Sequence, residues 1–129
     1  MLNLTSIHHI AIICSDYERS KHFYTEILGL KILREVYREA RQSYKLDLEL
    51  NGQYVIELFS FPDPPDRVSR PEACGLRHLA FGVQDIGKAA EDLSKFGIQA
   101  EPIRTDEHTG KQFTFFSDPD GLPIELYQE

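Results

Sequence analysis

The sequence has few basic residues, few cysteines and no long apolar run. Its 129 residues include 14 Lys and Arg against 21 Asp and Glu, so the formal net charge is −7. Such a chain lacks the positive surface that attracts nucleic acid, and anionic lipid headgroups would repel it. No apolar stretch approaches the roughly 20 residues that a membrane-spanning helix needs. We therefore expect neither a nucleic-acid-binding protein nor a membrane protein.

The cysteine pattern and the start of the chain favour a cytoplasmic protein. The two cysteines, Cys14 and Cys74, have neither the CxxC spacing nor the spacing of a metal finger, which suits a reducing compartment. Residues 1–13 contain no basic stretch and no small-residue cleavage site, so we expect no signal peptide. The motifs GxSxG, GxGxxG and the Walker loop are also absent. The common hydrolase and nucleotide-binding classes are therefore disfavoured.

The chain repeats itself at an offset of 68 or 69 residues. The segment HIAI at 9–12 recurs as HLAF at 78–81, and IELF at 56–59 recurs as IELY at 124–127. An Asp follows each repeated His by seven positions, and a Gly closes the segment after it. Because these matches occur in the same order in both halves, they indicate a tandem duplication.

Each half has the pattern of a βαβββ module. The apolar segments 7–13 and 77–83 predict the first strands. Asp16 and Asp85 then stand where the N-cap of an amphipathic helix is expected. The remaining predicted strands are 30–37, 43–50 and 53–61 in the first half and 99–104, 112–117 and 122–128 in the second. The predicted fold class is therefore α+β with two tandem βαβββ modules.

A proline-rich segment separates the two modules. Module 1 covers about 4–61 and module 2 about 76–128, and the linker at 62–75 contains four prolines, which cannot continue a sheet. A module of about 60 residues buries too little surface to be stable alone. We therefore expect residues 1–129 to form one domain, in which the modules pair within one chain or by exchange between two chains.

Two His and two Glu at duplicated positions are the candidate metal ligands: His9, Glu57, His78 and Glu125. A carboxylate flanked by Ile and Leu in a strand costs several kcal/mol to bury unless it is paired or bound to metal. No Lys or Arg stands at repeat-equivalent positions to pair with both Glu. Taken singly, a strand His is more often a core residue and a strand Glu more often faces solvent. The duplication favours the other interpretation, in which all four converge on one divalent cation.

Four segments resemble the vicinal oxygen chelate superfamily, which includes glyoxalase I, methylmalonyl-CoA epimerase, fosfomycin-resistance transferases and extradiol dioxygenases. They are HIAI at 9–12, VIEL at 55–58, RHLAF at 77–81 and FSDPDGLPIEL at 116–126. The resemblance implies paired βαβββ modules that curl into a cup around a metal ion. It also implies a small-molecule substrate and a homodimer.

The resemblance is closest to short bacterial glyoxalase I, and it assigns the metal to His9, Glu57, His78 and Glu125. It implies Ni, Co or Zn as the divalent metal, with Fe or Mn in other members. The implied activity is that of a lyase or isomerase that transfers a proton next to a carbonyl, with the cation acting as a Lewis acid. Glu125 is the first choice for the general base and Glu57 the second.

Three functions remain open at this stage. Beside the glyoxalase I type there are an extradiol dioxygenase-like or fosfomycin-resistance-like enzyme and a non-catalytic small-molecule binding protein. Extradiol dioxygenases and fosfomycin-resistance enzymes use three protein ligands, so the additional candidate ligand Glu57 counts against both. Glyoxalase I has an Arg and an Asn for glutathione where this chain has Ile13 and Phe61, which counts against glutathione. Tyr127 could orient a substrate, although packing is its more common role.

Overall fold

A computed structural model describes all 129 residues. The chain forms two compact units, Met1–Pro65 and Asp66–Glu129, which we call unit 1 and unit 2. Each unit contains one four-stranded mixed sheet and one α-helix. The predicted α+β class and its two βαβββ modules are therefore confirmed. No helix has the length and apolar character required to cross a bilayer.

Unit 1 has strands β1 to β4 and helix α1. These elements are β1 Ile10–Cys14, α1 Tyr17–His22, β2 Lys31–Arg38, β3 Ser43–Leu50 and β4 Gln53–Ser60; a π-helical turn, Phe23–Ile27, extends α1, and a 3-10 turn, Glu39–Arg41, follows β2. The strand order is β1-β4-β3-β2, with β1 parallel to β4 and the other pairs antiparallel. The first strand therefore lies beside the last.

Unit 2 repeats this arrangement with strands β5 to β8 and helix α2. The elements are β5 Leu79–Val83, α2 Ile86–Lys95, β6 Arg104–Thr105, β7 Gln112–Ser117 and β8 Pro123–Gln128. The strand order is β5-β8-β7-β6, and β5 runs parallel to β8. The two repeated segments of each half, one with a His and one with a Glu, are therefore neighbours in each sheet.

The helix starts follow from the two repeated aspartates. The Asp16 carboxylate accepts the backbone N–H of Arg19 at 3.1 Å, and the Asp85 carboxylate accepts that of Lys88 at 3.0 Å. Each bond satisfies an N–H group that has no partner within its own helix. Both predicted N-caps are present.

Three of the predicted strands have wrong boundaries. The first strands begin at Ile10 and Leu79 rather than at 7 and 77, so each repeated His immediately precedes its strand. The predicted strand 99–104 is reduced to the two residues of β6. Pro102 lies in this segment and has no N–H group to donate to a neighbouring strand. Before β6, the Glu101 N–H donates to the Phe115 carbonyl at 2.9 Å and the Thr114 hydroxyl donates to the Glu101 carbonyl at 2.8 Å, but these bonds do not form a strand.

Each unit has a core on one face of its sheet. In unit 1, Leu46, Leu48, Ile56 and Leu58 are almost completely buried, and in unit 2 Ile124 has the same environment. Side chains alternate between faces along a strand, so the residue that follows Ile56 and the residue that follows Ile124 must lie on the opposite face. Those residues are the two repeated glutamates.

Candidate metal centre

Unit 1 brings His9 and Glu57 together. Glu57 lies in the middle of β4, and its direct neighbour on β1 is Ala11. His9 precedes Ala11 by two positions and lies next to the start of the strand. The small Ala side chain leaves space between the two functional groups. His9 Nε2 therefore lies 3.9 Å from Glu57 Oε1.

Unit 2 places the second pair in the same way. Glu125 lies on β8 opposite Ala80 of β5, and His78 precedes Ala80 by two positions. His78 Nε2 lies 2.9 Å from Glu125 Oε2. The duplicated sequence has thus produced the same imidazole–carboxylate pair twice.

The donor atoms of both pairs suit a divalent metal. The side chains of Glu57 and Glu125 are only 17% and 13% exposed, so both carboxylates are largely removed from water. Imidazole nitrogen and carboxylate oxygen are the ligands that Zn, Ni and related cations accept. In this chain no group of three or more His, Cys, Asp or Glu is close enough to hold a metal ion. Each pair therefore provides two of the four ligands that the sequence predicts.

Glu57 also belongs to a polar network that the sequence analysis missed. Lys45 Nζ lies 2.7 Å from Asp47 Oδ1 and 3.3 Å from Glu57 Oε2. The Tyr54 hydroxyl lies 2.8 Å from Asp47 Oδ1 and 3.1 Å from Glu57 Oε2. The Tyr54 ring packs against His9 with 4.9 Å between centroids. Tyr54 therefore contacts both members of the unit 1 pair.

Cationic side chains stabilise the buried carboxylate of this network. The Asp47 side chain is only 2% exposed, and burial alone would raise the pKa of its carboxyl. Hydrogen bonds from Lys45 and Tyr54, together with the positive charges of Lys45 and Arg34, outweigh burial, so the pKa of Asp47 lies below its ordinary value and the group is a carboxylate. Burial and the hydrogen bonds to Asp47 and Glu57 raise the pKa of Tyr54, so this residue remains a neutral hydroxyl.

The alternation of polar residues on β3 was the signal that could have revealed the network. Lys45 and Asp47 alternate with the buried leucines Leu46 and Leu48, so they must share the face of the sheet opposite the core. The pairing of Asp47 with Glu57 then places both next to the candidate ligand. The repeat could not reveal it, because neither residue has a counterpart of its own type in the other half.

In unit 2 the equivalent positions are aromatic. The register of β7 against β8 places Phe113 and Phe115 where β3 of unit 1 has Lys45 and Asp47. The Phe115 ring meets the His78 ring edge to face, with 5.1 Å between centroids. Glu125 forms its ion pair with His78 and has no Lys or Arg partner.

An open cavity of about 1060 Å³ lies beside this aromatic wall within unit 2. Its lining includes His78 and Phe115, together with Arg77 and Arg104. A cavity of this size can accommodate a small molecule. Tyr127 has a different role, since its hydroxyl donates to Asp106 Oδ2 at 2.9 Å and its ring stacks on Phe113. These contacts show the packing role for Tyr127.

The model of the Glyoxalase/Bleomycin resistance protein/Dioxygenase superfamily matches residues 6–126. The chain belongs to this superfamily. The match includes both repeats and all four candidate ligands. It confirms the resemblance that the sequence motifs indicated.

Similar proteins cover nearly the whole chain. It is 68% identical over 126 residues to YwkD of Bacillus subtilis (strain 168), an uncharacterized protein, with 98% of each chain covered. It is 30% identical over 131 residues to lactoylglutathione lyase of Escherichia coli O157:H7, with 94% of this chain and 90% of the lyase covered. The crystal structure of a glyoxalase family protein from Enterococcus faecalis superposes with a TM-score of 0.90 at 48% identity, covering 98% and 99% of the two chains.

Proposed function

We propose that this protein is a divalent-metal enzyme of the glyoxalase I type, a lyase or isomerase that transfers a proton next to a carbonyl of a small molecule. The observation that carries the proposal is the pairing of an imidazole with a mostly buried carboxylate at equivalent places in both units. Similarity to a lactoylglutathione lyase supports the same class.

The proposed metal ligands are His9, Glu57, His78 and Glu125. Two imidazoles and two carboxylates form a donor set of intermediate hardness, which suits Ni, Co or Zn, with Fe and Mn as the alternatives. A bound cation would supply Lewis acidity to the substrate oxygen at which negative charge develops. Both pairs are needed, because either pair alone supplies only two ligands.

Glu125 is the better candidate for the general base. Lys45 and Tyr54 hold Glu57 in the polar network, whereas Glu125 has His78 as its ion-pair partner and aromatic neighbours. A base must reach the proton that it abstracts, and fewer contacts restrain Glu125. In this proposal Glu125 takes a proton from the hydroxyl-bearing carbon next to the carbonyl and returns it to the former carbonyl carbon. The hydroxyl proton moves to the former carbonyl oxygen, so that the carbonyl group ends on the neighbouring carbon. The protein is then unchanged after each turnover.

The substrate need not carry glutathione. Ile13 is 55% exposed at the position where the family resemblance would require Arg. Phe61, where the family has Asn, stacks on Phe59 with 5.7 Å between ring centroids. Neither apolar side chain can form an ion pair with the glutathione carboxylate. We therefore propose a small carbonyl substrate that lacks the tripeptide.

A cytoplasmic homodimer is the proposed state of the protein. Large apolar side chains are exposed along the edge strand β2, among them Ile32, Leu33 and Val36. Exposed apolar clusters of this kind commonly mark protein interfaces. Neither Cys14 nor Cys74 forms a disulfide, which suits a reducing compartment. Light scattering should give twice the chain mass of 14.9 kDa.

Deuterium exchange would test the proposed reaction. The metal-loaded protein would be incubated in D₂O with hemithioacetals and 2-oxo compounds, and label next to the carbonyl would be followed by NMR. We expect Glu125→Gln to slow exchange by about 100-fold or more while the metal remains bound. Glu107→Gln, in which an 87% exposed carboxylate is removed, is the matched control and should exchange normally.

Three results would contradict the proposed reaction. Equal exchange by wild type and Glu125→Gln would exclude Glu125 as the base. Oxygen consumption by an iron-loaded protein would favour dioxygenase chemistry. Substrate binding that is unchanged after metal chelation, without any deuterium exchange, would favour a non-catalytic binding protein.

A further inference from the structure

Arg38 has an unusual environment at the end of β2. Its guanidinium carbon lies 4.9 Å from the centroid of the Phe59 ring and 5.8 Å from that of Phe61. Its Nη2 donates to Ser43 Oγ at 3.0 Å. Stacking on two rings and one hydrogen bond fix the plane of the guanidinium. The side chain is therefore preorganised.

No carboxylate compensates the charge of Arg38. The ion pairs of unit 1 involve other cations, namely His9, Lys21, Arg34 and Lys45. The Nε atom of Arg38 is buried and has no hydrogen-bond partner. Buried donors are usually satisfied, because a donor that has lost water and gained no acceptor destabilises the protein. An oxyanion bound at the guanidinium would compensate the charge that no carboxylate of the chain neutralises.

A second arginine shares the same aromatic platform. The guanidinium carbon of Arg41 lies 5.3 Å from the Phe61 ring centroid, and Arg41 has no carboxylate partner either. Two guanidinium groups around one ring would repel each other in the absence of an anion. The chain carries a net charge of −7, so most of its surface repels anions. Two neighbouring arginines without carboxylate partners form an exception to this pattern.

This platform lies on the same sheet face as the proposed metal ligand. Phe59 follows Glu57 by two positions on β4, so their side chains project from the same face about 7 Å apart. We propose that Arg38 and Arg41 bind an anionic group, a carboxylate or a phosphoryl group, of the substrate. The assignment of this anionic group to a substrate rests on the proposed function, whereas the existence of the anion site does not. Phe61, one of the residues that replace the glutathione contacts, would then support a different substrate.

NMR of the arginine Nε–H groups tests this proposal directly. The full-length chain, metal-free and metal-loaded, would be titrated with inorganic phosphate and, separately, with acetate, and chloride would match the ionic strength. We expect the Arg38 Nε–H signal, assigned by its loss in Arg38→Gln, to shift with saturation. Tighter binding of phosphate than of acetate would indicate a phosphoryl group, and the reverse a carboxylate.

Matched variants separate the site from general charge effects. Titration calorimetry, which needs no arginine signal, should give a Kd for the favoured anion about tenfold or more higher in Arg38→Gln than in wild type, since charge-assisted hydrogen bonds are lost. Arg38→Lys keeps the positive charge but loses the planar guanidinium, so it should give an intermediate Kd. This variant serves as the test if Arg38→Gln does not fold. Arg19→Gln makes the same charge change on helix α1 and should leave the Kd unchanged.

An equal shift with chloride, or the same Kd in wild type and both Arg38 variants, would overturn the anion site. Saturable anion binding by a chain that takes up no metal would instead overturn the proposed function and leave the anion site standing.

Discussion

The two units share a backbone plan and differ on the sheet face that carries the candidate ligands. In unit 1 that face has a buried ionic network around Glu57, built by Lys45, Asp47 and Tyr54. In unit 2 the corresponding face has aromatic rings around Glu125. The duplication has therefore retained the core and the His–Glu pair while the surroundings of the pair diverged.

This difference suggests separate roles for the carboxylates of the two units, Glu57 and Glu125. A carboxylate held by an ammonium and a hydroxyl is well placed to remain a ligand, whereas one with fewer contacts can move toward a substrate. Apolar rings beside the second pair also restrict water. The comparison thus supports our proposal that Glu57 is mainly a metal ligand and that Glu125 is the general base.

The largest expected effect concerns what the two units share. Ile56 and Ile124 are 1% and 0% exposed at equivalent core positions. Ile56→Ala and Ile124→Ala should each lower the free energy of unfolding by about 3 to 4 kcal/mol, because each leaves a cavity. Urea denaturation of the two variants measures this. A loss below 1 kcal/mol in one variant only would contradict the equivalence of the cores.

A smaller effect should distinguish the two sheet faces. Lys45→Met removes the ammonium between two carboxylates and should cost about 2 kcal/mol, because the buried Asp47 loses one of its partners. At the equivalent position, Phe113→Leu keeps an apolar side chain and should cost about 1 kcal/mol. Thermal unfolding of both variants provides the comparison, and a Lys45→Met protein as stable as wild type would show that the network does not stabilise the fold.

The helix caps should again be equivalent in the two units. Asp16→Ala and Asp85→Ala each remove one bond to a backbone N–H and should each cost about 1 kcal/mol. Asn at either position keeps an acceptor and should restore most of the loss. Failure of the Asn variants to recover stability would indicate that the caps act through charge rather than through the hydrogen bond.

The smallest effect is the pH dependence that Glu35 of unit 1 contributes. Lys21 donates to Glu35 at 2.7 Å and Tyr17 donates to the same oxygen, which holds the pKa of Glu35 below its ordinary value of 4.5. The stabilisation is thus complete above pH 4.5 and is lost as the pH falls through the lowered pKa of the folded state. Solvent around this partly exposed group keeps the effect below about 1 kcal/mol.

Comparing Glu35→Gln with wild type across pH 2 to 7 tests this direction. Wild type should be the more stable protein at neutral pH, and the two should converge in acid. The exposed Glu107→Gln should show no such convergence. A stability difference that grows as the pH falls would contradict the assigned sign.

Much of this structure follows from local sequence, and the remainder depends on cross-strand neighbours. The Asp caps can each be predicted from one segment of the chain. So can the turn at Asn51-Gly52, which has the positive φ angles of 52° and 81°. The repeat follows from comparing the two halves of the sequence. The contact between Lys45 and Glu57 depends on the register of two strands. The predicted strand 99–104 is shorter in the structure because Pro102 has no N–H group to donate to a neighbouring strand.

Metal content per chain tests the central claim most directly. Elemental analysis of protein purified without a metal column, and after reconstitution, should find close to one Ni, Co or Zn per site in wild type. His9→Ala and His78→Ala should each lose it, because each removes a ligand from a different pair, whereas His108→Ala, at an 86% exposed histidine, should retain it. No metal in reconstituted wild type, or equal metal in all four proteins, would contradict the proposed centre.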